Sequence, residues 1–190
     1  FDVTDTAAVD AAFEHVEDHV GPIHVLLNNA GVNLREPFTE LHDETWRQVM
    51  AVNLDGPMRV ARAAARRMIP RGRGKIINTC SLLSERARAT CSPYAVSKAA
   101  LQMLTRALAV ELAPHNIQVN GIGPGYFVTE MTRDLRDDAE FDRWVREKTP
   151  AGRWGDPAEL VGCAVFLASD ASSFVNGQVI YVDGGWLAAL

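Results

Sequence analysis

Two hydrophobic spacings alternate along the chain. Over 9–20 an apolar residue recurs every three or four positions, which predicts a helix between the capping candidates Thr4 and Asp5 and the stop at Gly21-Pro22. The run 23–27 that follows is apolar without alternation. An apolar run of this length between turn residues is typical of a strand buried on both faces of a parallel sheet.

The same alternation continues through the rest of the chain. Further strands are predicted at 75–79, 117–122 and 178–182, and further helices at 43–68, 94–113 and 157–169. We expect the first of these helices to be interrupted at Gly56-Pro57, and the last to carry Pro157 in its first turn. Helices and strands that alternate without a linker or a repeat predict an α/β fold, a doubly wound parallel sheet in one domain over 1–190.

One segment departs from this regular pattern. Residues 129–149 mix both charges with two bulky aromatic anchors, Phe141 and Trp144. We interpret the surrounding segment, 126–150, as a partly exposed helical lid over a substrate.

Composition and charge narrow the class of protein. A content of 47% hydrophobic residues in 190 is enough to bury a core, which excludes a disordered chain. The balance of 19 basic against 24 acidic residues gives a net charge of −5, so we expect neither a nucleic-acid nor a membrane partner. The longest apolar run, 163–168, is far short of a membrane span, and no signal-peptide pattern is visible. Three cysteines without a CxxC pair favour the reducing cytoplasm.

Small and polar residues follow three successive predicted strands. The motifs are Asn28-Asn29-Ala30-Gly31, Cys80-Ser81 and Gly123-Pro124-Gly125. Right-handed crossovers place the ends of parallel strands at one edge of the sheet, where ligands bind in such folds. Each motif alone is ordinary loop sequence, but their coincidence predicts a ligand crevice.

Tyr94 and Lys98 carry the candidate chemistry. They lie four residues apart at the start of a predicted helix, so their side chains share a face. A neighbouring ammonium is expected to lower the pKa of a tyrosine and make it a proton donor and acceptor near working pH. An ordinary amphipathic helix start is the alternative, but Ser81 at the preceding strand end could reach the same substrate oxygen.

With these residues the chain resembles the short-chain dehydrogenase/reductase family, in its Tyr-x-x-x-Lys branch. The resemblance covers essentially all residues and implies a Rossmann-like fold that binds NAD or NADP. The motifs that carry it, in family order, are Asp2-Val3-Thr4-Asp5, Asn28-Asn29-Ala30-Gly31, Asn53, Ser81, Tyr94, Lys98, Val119-Asn120, Pro124-Gly125 and Val182-Asp183-Gly184-Gly185.

The resemblance implies a role for each residue of the catalytic set. Tyr94 would be the acid and base in a reversible hydride transfer between a nicotinamide and a carbonyl or alcohol substrate. Ser81 would orient and polarise the substrate oxygen. Lys98 would lower the pKa of Tyr94 and hydrogen-bond the nicotinamide ribose, and Asn53 would hold a water that links Lys98 to solvent.

Further residues match the cofactor contacts of the family. Asp2 and Val3 match the pair at the adenine, and the loop Asn29, Ala30 and Gly31 matches the ribose side, where a missing side chain permits close approach. The turn under the nicotinamide and the contacts near its carboxamide are matched by Pro124, Gly125, Phe127 (through its backbone) and Thr129.

Within the family, gluconate 5-dehydrogenases and related sugar-acid reductases are the most similar group. Three stretches carry this likeness: 74–86, 120–131 and 149–157. A polyhydroxy acid needs hydrogen-bonding partners and a cation for its carboxylate. Arg35, Glu85 and Arg86 are candidates, and each is equally well explained as a solvated surface charge.

The N-terminal part of the family's sequence pattern is missing before Asn28. The family begins with a Gly-rich phosphate-binding turn, so we expect two strand-helix units, about 60 residues, to be missing ahead of this sequence. The first strand would then expose an apolar edge, and the choice between NAD and NADP cannot be read. A non-catalytic subunit that binds or assembles with a partner is the alternative function. The resemblance suggests a homotetramer, or a homodimer, built on the two long helices and the C-terminal segment.

Two other patterns are weaker. The basic run between Arg59 and Lys75 contains no aromatic platform, so we interpret it as a solvated face and not as a nucleic-acid site. His15 and His19 have a metal-site spacing, but no third ligand is apparent, and we predict no metal.

Overall fold

The computed structural model describes residues 1–189, which form a four-stranded sheet with helices on both faces. The strands are β1 (Val25–Asn28), β2 (Gly74–Thr79), β3 (Ile117–Pro124) and β4 (Val179–Val182). The helices are α1 (Thr6–His19), α2 (Asp43–Met50), α3 (Gly56–Met68), α4 (Ser92–Leu112), α5 (Arg133–Asp137), α6 (Ala139–Lys148) and α7 (Val161–Ala168).

The sheet is parallel throughout, in the order β1-β2-β3-β4. Leu26 pairs with Ile76, Ile76 with Val119, and Gly121 with Val179. Every pair of consecutive strands is joined by a helical crossover, as parallel pairing requires. The predicted doubly wound α/β fold is confirmed.

Neighbouring residues of β2 anchor the two faces. Ile76 belongs to a buried cluster with α1, α3 and α4, whereas Ile77 packs with Ile122 and with Leu167 of α7 on the other face. Successive strand side chains point to opposite faces, so a strand covered on both sides needs apolar residues at both. The unbroken apolar runs of the sequence follow from this double cover.

Two apolar side chains of β1 are exposed. Val25 and Leu27 are 41% and 47% exposed, whereas Asn28, the last residue of β1, is buried. Within residues 1–189, β1 pairs with β2 alone.

The long helix predicted over 43–68 is divided differently from the prediction. The distortion is a π-helical turn at Ala51–Asp55, and α3 then runs through Gly56 and Pro57 without a break. Pro57 has no N–H to bond the carbonyl of Asn53 four residues earlier, which favours a local change of hydrogen-bond register before it. The predicted interruption is therefore several residues too late.

Two other predicted helices are also subdivided. Residues 157–169 begin as a 3₁₀ turn, Pro157–Leu160, and continue as α7. The segment 129–149 holds α5 and α6, with Asp138 capping α6 through bonds from the N–H groups of Glu140 and Phe141.

Candidate active site

The three polar motifs meet at the carboxyl edge of the sheet, as predicted. They lie at the carboxyl ends of β1, β2 and β3, which are adjacent and parallel. Below them the Asn28 amide donates to Asn78 Oδ1 at 2.9 Å, and the Asn78 amide donates to the Thr105 hydroxyl at 2.9 Å. This buried polar row ties β1 and β2 to α4, the helix that carries Tyr94 and Lys98.

Ser81 and Tyr94 line the same cleft. Ser81 caps the 3₁₀ turn Leu82–Ser84, accepting a bond from the Leu83 N–H at 3.1 Å. The Ser84 hydroxyl in turn donates to the Lys98 carbonyl at 3.0 Å, so α4 fixes the loop that carries Ser81. Tyr94 lies in the first turn of α4 and reaches the cleft from the other side.

The protonation of Tyr94 differs from the prediction. Burial raises the pKa of its phenol above the ordinary value, and the hydrogen bond with the Ser81 side chain only partly offsets this. Among the weaker influences, the positive charge of Arg88 lowers the pKa of Tyr94. The net shift is therefore opposite to the expected lowering, because the cost of desolvating a phenolate dominates.

Lys98 is held behind the tyrosine. Its ammonium is 5.7 Å from the centre of the Tyr94 ring and donates to the Thr79 carbonyl at 2.6 Å. The side chain is 3% exposed, and this desolvation lowers the pKa of Lys98 to about 8. An ammonium has three N–H donors, so two can still serve a ligand in the cleft.

Asn53 sits in the π-helical turn with its side chain fully buried. Its Oδ1 accepts from the Val32 N–H at 2.8 Å, and its amide donates to the Val32 carbonyl at 2.9 Å and to the Ser97 hydroxyl at 3.1 Å. The side chain thus clamps the loop after β1 to α4. The predicted role of Asn53 in holding a water stays a prediction.

The loop after β1 leaves room for a ligand at Gly31. A Cβ on this residue would lie 3.4 Å from Asn53 Oδ1 and 3.6 Å from Lys98 Nζ, so a side chain would fill the space in front of the ammonium. Asn29 accepts a bond from the Thr79 hydroxyl at 3.4 Å, which joins this loop to the end of β2. Asn29, Ala30, Gly31 and Lys98 together fit the ribose of a nicotinamide nucleotide.

The residues predicted at the adenine lie beside the same edge. Asp2 accepts from the backbone N–H and the hydroxyl of Thr4, both at 2.8 Å, and these bonds lower the pKa of its carboxyl. Val3 packs against the helical core, where a Cβ on Gly56 would come within 2.7 Å of its Cγ2.

The turn after β3 borders the cleft from the third side. A Cβ on Gly125 would come within 2.7 Å of the Asp183 backbone, so only glycine lets Pro124 and Gly125 pass so close to the end of β4. The Phe127 side chain is buried, and its carbonyl accepts from the Thr132 hydroxyl at 2.7 Å. Thr129 is exposed at the start of the next turn.

The three predicted substrate residues have different surroundings. Glu85 accepts from the Gln102 amide at 2.5 Å and from the Tyr181 hydroxyl at 3.3 Å, so it acts as a tether between the Ser81 loop and α4. Arg86 is exposed and borders a neighbouring pocket, and Arg35 is exposed.

Sequence reasoning missed Asn33, Arg88 and Tyr126. All three line the cleft that holds Ser81 and Tyr94, together with Met131, Thr132 and Leu135 of the predicted lid. Arg88 lies only six residues before Tyr94 in the printed sequence, and this proximity is the signal that could have found it.

The weaker sequence patterns do not form a site in the part of the chain that is described. His15 and His19 stack with ring centres 4.4 Å apart, and residues 1–189 contain no group of metal-ligating side chains. The basic run is partly neutralised, since Arg71 and Arg73 pair with Glu17 and Asp170. No helix within 1–189 is long and apolar enough to cross a membrane.

Known proteins are similar to the whole described chain. A family model described as enoyl-(acyl carrier protein) reductase matches residues 1–187. The 5-keto-D-gluconate 5-reductase of Escherichia coli is 55% identical over 190 residues, which cover 100% of this chain and 75% of that protein. The gluconate 5-dehydrogenase of Gluconobacter oxydans is 50% identical, covering 100% and 74%. A structure of gluconate 5-dehydrogenase from Burkholderia cenocepacia in complex with NADP and tartrate aligns with a TM-score of 0.98 at 52% identity, covering 100% of this chain and 74% of that one.

Proposed function

The chain belongs to the short-chain dehydrogenase/reductase family, and from that premise we propose that it interconverts 5-ketogluconate and gluconate with NADP(H). The predicted family and the predicted class, an NAD(P)-dependent oxidoreductase, are confirmed. NADP is the first cofactor to test because three similar structures contain it.

The observation that carries the proposal is the shared cleft of Ser81 and Tyr94, backed by Lys98. A bound reduced nicotinamide supplies the hydride for the carbonyl carbon. Tyr94, protonated at neutral pH because burial raises its pKa, donates the proton to the carbonyl oxygen. In the oxidation Tyr94 takes that proton back from the alcohol. Ser81 hydrogen-bonds the same substrate oxygen and fixes its position.

Lys98 and the loop after β1 hold the cofactor in this proposal. The free donors of Lys98 hydrogen-bond the ribose hydroxyls, and Asn29, Ala30 and Gly31 form the wall beside it. Asp2 and Val3 bind the adenine end, while Pro124, Gly125, Phe127 and Thr129 bind the nicotinamide end. Asn53 holds the loop that forms this wall in position, and it orders a water that links Lys98 to solvent.

The segment 126–150 acts as the substrate lid of the single domain 1–190. Met131, Thr132 and Leu135 line the cleft opposite Ser81 and Tyr94. The lid is anchored by aromatic contacts with Trp186, whose ring centre lies 5.0 Å from that of Tyr126 and 5.1 Å from that of Trp144. Aromatic pairs at these distances stabilise their partners without fixing a single arrangement.

The test is a spectrophotometric assay of NADPH consumption with 5-ketogluconate, repeated with NADH and with neutral ketoses. We expect turnover of the keto acid, and a fall in that turnover of about 10²- to 10⁴-fold in Tyr94→Phe. A protein that binds the cofactor but turns over none of these substrates would favour the non-catalytic subunit instead.

We also infer a homotetramer in the cytoplasm. Val96, Met103 and Val110 are exposed at seven-residue intervals along α4, which gives this helix an apolar stripe suited to a second copy. The three cysteines are free thiols, as a reducing compartment requires. Light scattering during size-exclusion chromatography tests the assembly, and a monomer at micromolar concentration contradicts it.

A further inference from the structure

The cleft contains one cation that is partly buried and not neutralised. Arg88 lines the pocket of Ser81 and Tyr94, and none of the ion pairs within residues 1–189 includes it. Other arginines of the chain, such as Arg71 and Arg153, pair with carboxylates at 2.9 and 2.7 Å. A guanidinium withdrawn from water without a counter-ion is costly, so an anionic ligand would be strongly favoured beside it.

Neighbouring side chains hold the guanidinium in place without using up its donors. Nη1 donates to the Tyr126 hydroxyl at 3.3 Å, Nη2 donates to Cys91 Sγ at 3.1 Å, and the Phe141 ring lies 5.1 Å below Cζ. These contacts employ two of the five N–H donors of an arginine, and the rest can form the paired bonds that a carboxylate accepts.

A second polar group of the same cleft, the side-chain oxygen of Asn33, has no hydrogen-bond partner among the described residues. Asn33 Oδ1 is buried and accepts no hydrogen bond from any residue in 1–189. Asn33 lines the pocket together with Arg88 and Tyr94. A buried acceptor without a donor is destabilising, and a substrate hydroxyl would satisfy it.

We infer that Arg88 and Asn33 form the specificity site for a polyhydroxy acid: Arg88 binds the carboxylate and Asn33 accepts a hydrogen bond from a chain hydroxyl. This inference rests on the proposed function and assigns its substrate preference to residues other than Arg35 and Arg86. The catalytic residues act on the carbonyl or alcohol carbon, whereas Arg88 recognises the charged end of the same molecule.

The test compares gluconate with gluconamide, which keeps every hydroxyl and lacks the charge. We measure NADP-dependent oxidation and, by calorimetry with NADP present, the binding of each compound to the purified protein. In Arg88→Met, the loss of charge-assisted bonds should weaken gluconate binding and raise its KM about 10- to 100-fold. Gluconamide should change by less than about threefold, which also shows that the variant is folded. Arg88→Lys should retain part of the preference for the acid.

Asn33→Ala should weaken gluconate and gluconamide alike, by up to about tenfold, because a hydroxyl is common to both. Arg35→Met and Arg86→Met test the two other arginines that could bind the carboxylate. The exposed Arg62 of α3 provides the matched control, Arg62→Met, in which neither binding nor oxidation should change.

The outcomes distinguish a failure of the specificity site from a failure of the proposed reaction. If the parent protein oxidises gluconate and Arg88→Met weakens both compounds equally or neither, the assignment of Arg88 is overturned. The assignment of Arg88 is also overturned if the preference for gluconate over gluconamide is lost in Arg35→Met or Arg86→Met but is kept in Arg88→Met. If the parent binds gluconate in preference to gluconamide without oxidising it, and Arg88→Met removes that preference, the specificity site stands and the proposed reaction fails. A parent that binds neither compound refutes both.

Discussion

The two halves of the cleft differ in how their polar groups are satisfied. In the inner half, where Ser81 lines the cleft and Asn53 and Lys98 are buried behind it, the side chains bond to other parts of the protein. In the outer half, Asn33 and Arg88 retain an acceptor and donors that have no partner among residues 1–189. A preorganised half is suited to chemistry shared by many substrates, and an unsatisfied half is suited to discriminating among them.

The largest effect that tests this division is the loss of the proton donor in the inner half. Tyr94→Phe keeps the ring and removes the hydroxyl, so kcat for 5-ketogluconate should fall by about 10²- to 10⁴-fold. Tyr181→Phe is the matched control: its hydroxyl bonds to Glu85, and activity should stay within about threefold. Stopped-flow or steady-state absorbance of NADPH measures both. Comparable rates in Tyr94→Phe and the parent would remove Tyr94 from the chemistry.

The direction of the reaction should depend on pH because the Tyr94 phenol is buried. Its pKa is raised, so the protonated form persists at neutral and mildly alkaline pH. Reduction needs that proton and should be nearly constant from pH 6 to 8. Oxidation needs the deprotonated form and should rise by up to about tenfold per pH unit over the same range. Initial rates in both directions across pH check this, and an oxidation rate independent of pH would contradict it.

The third test applies the same substitution to both halves. Asn53→Ala removes three hydrogen bonds and leaves Val32 and Ser97 with unsatisfied groups, so unfolding should become easier by about 2–4 kcal/mol. Asn33→Ala removes a buried acceptor that no residue of 1–189 satisfies, so the free energy of unfolding should stay constant or rise by up to about 1 kcal/mol. Urea unfolding measures the two values. Equal losses would mean that the halves are equally preorganised.

The sequence predicts the inner half better than the outer half for a physical reason. Tyr94 and Lys98 are placed by helical spacing, and Ser81 is placed by the end of β2, so local pattern and parallel topology bring them together. Arg88 and Tyr126 are 38 residues apart and meet through loops whose path follows no period. The identity of a loop residue's neighbour depends on tertiary packing, which spacing does not encode.

The same contrast explains the two corrections. Alternation places all four strands and α1, but the helix 43–68 changes register at Ala51–Asp55, where a proline downstream removes a backbone donor. The sign of the Tyr94 pKa shift depends on the burial of its hydroxyl, and this cannot be derived from four-residue spacing. A motif thus identifies which groups meet, while their surroundings determine how each one titrates.

The smallest effect concerns the charge on Lys98, and it tests whether the inner half is desolvated. The pKa of Lys98 is lowered to about 8 in the folded protein, whereas an unfolded lysine titrates near 10.4. The unfolded state therefore binds more protons between these values, so the penalty of the buried ammonium is complete below pH 8 and is relieved as pH rises. The free energy of unfolding of the parent, relative to Lys98→Met, should increase by about 1 kcal/mol from pH 8 to 9. The exposed Lys148 gives the control Lys148→Met, which should follow the parent at every pH. If the free energy of unfolding of Lys98→Met also follows that of the parent at every pH, the Lys98 ammonium is solvated, and the inner half is as hydrated as the outer half.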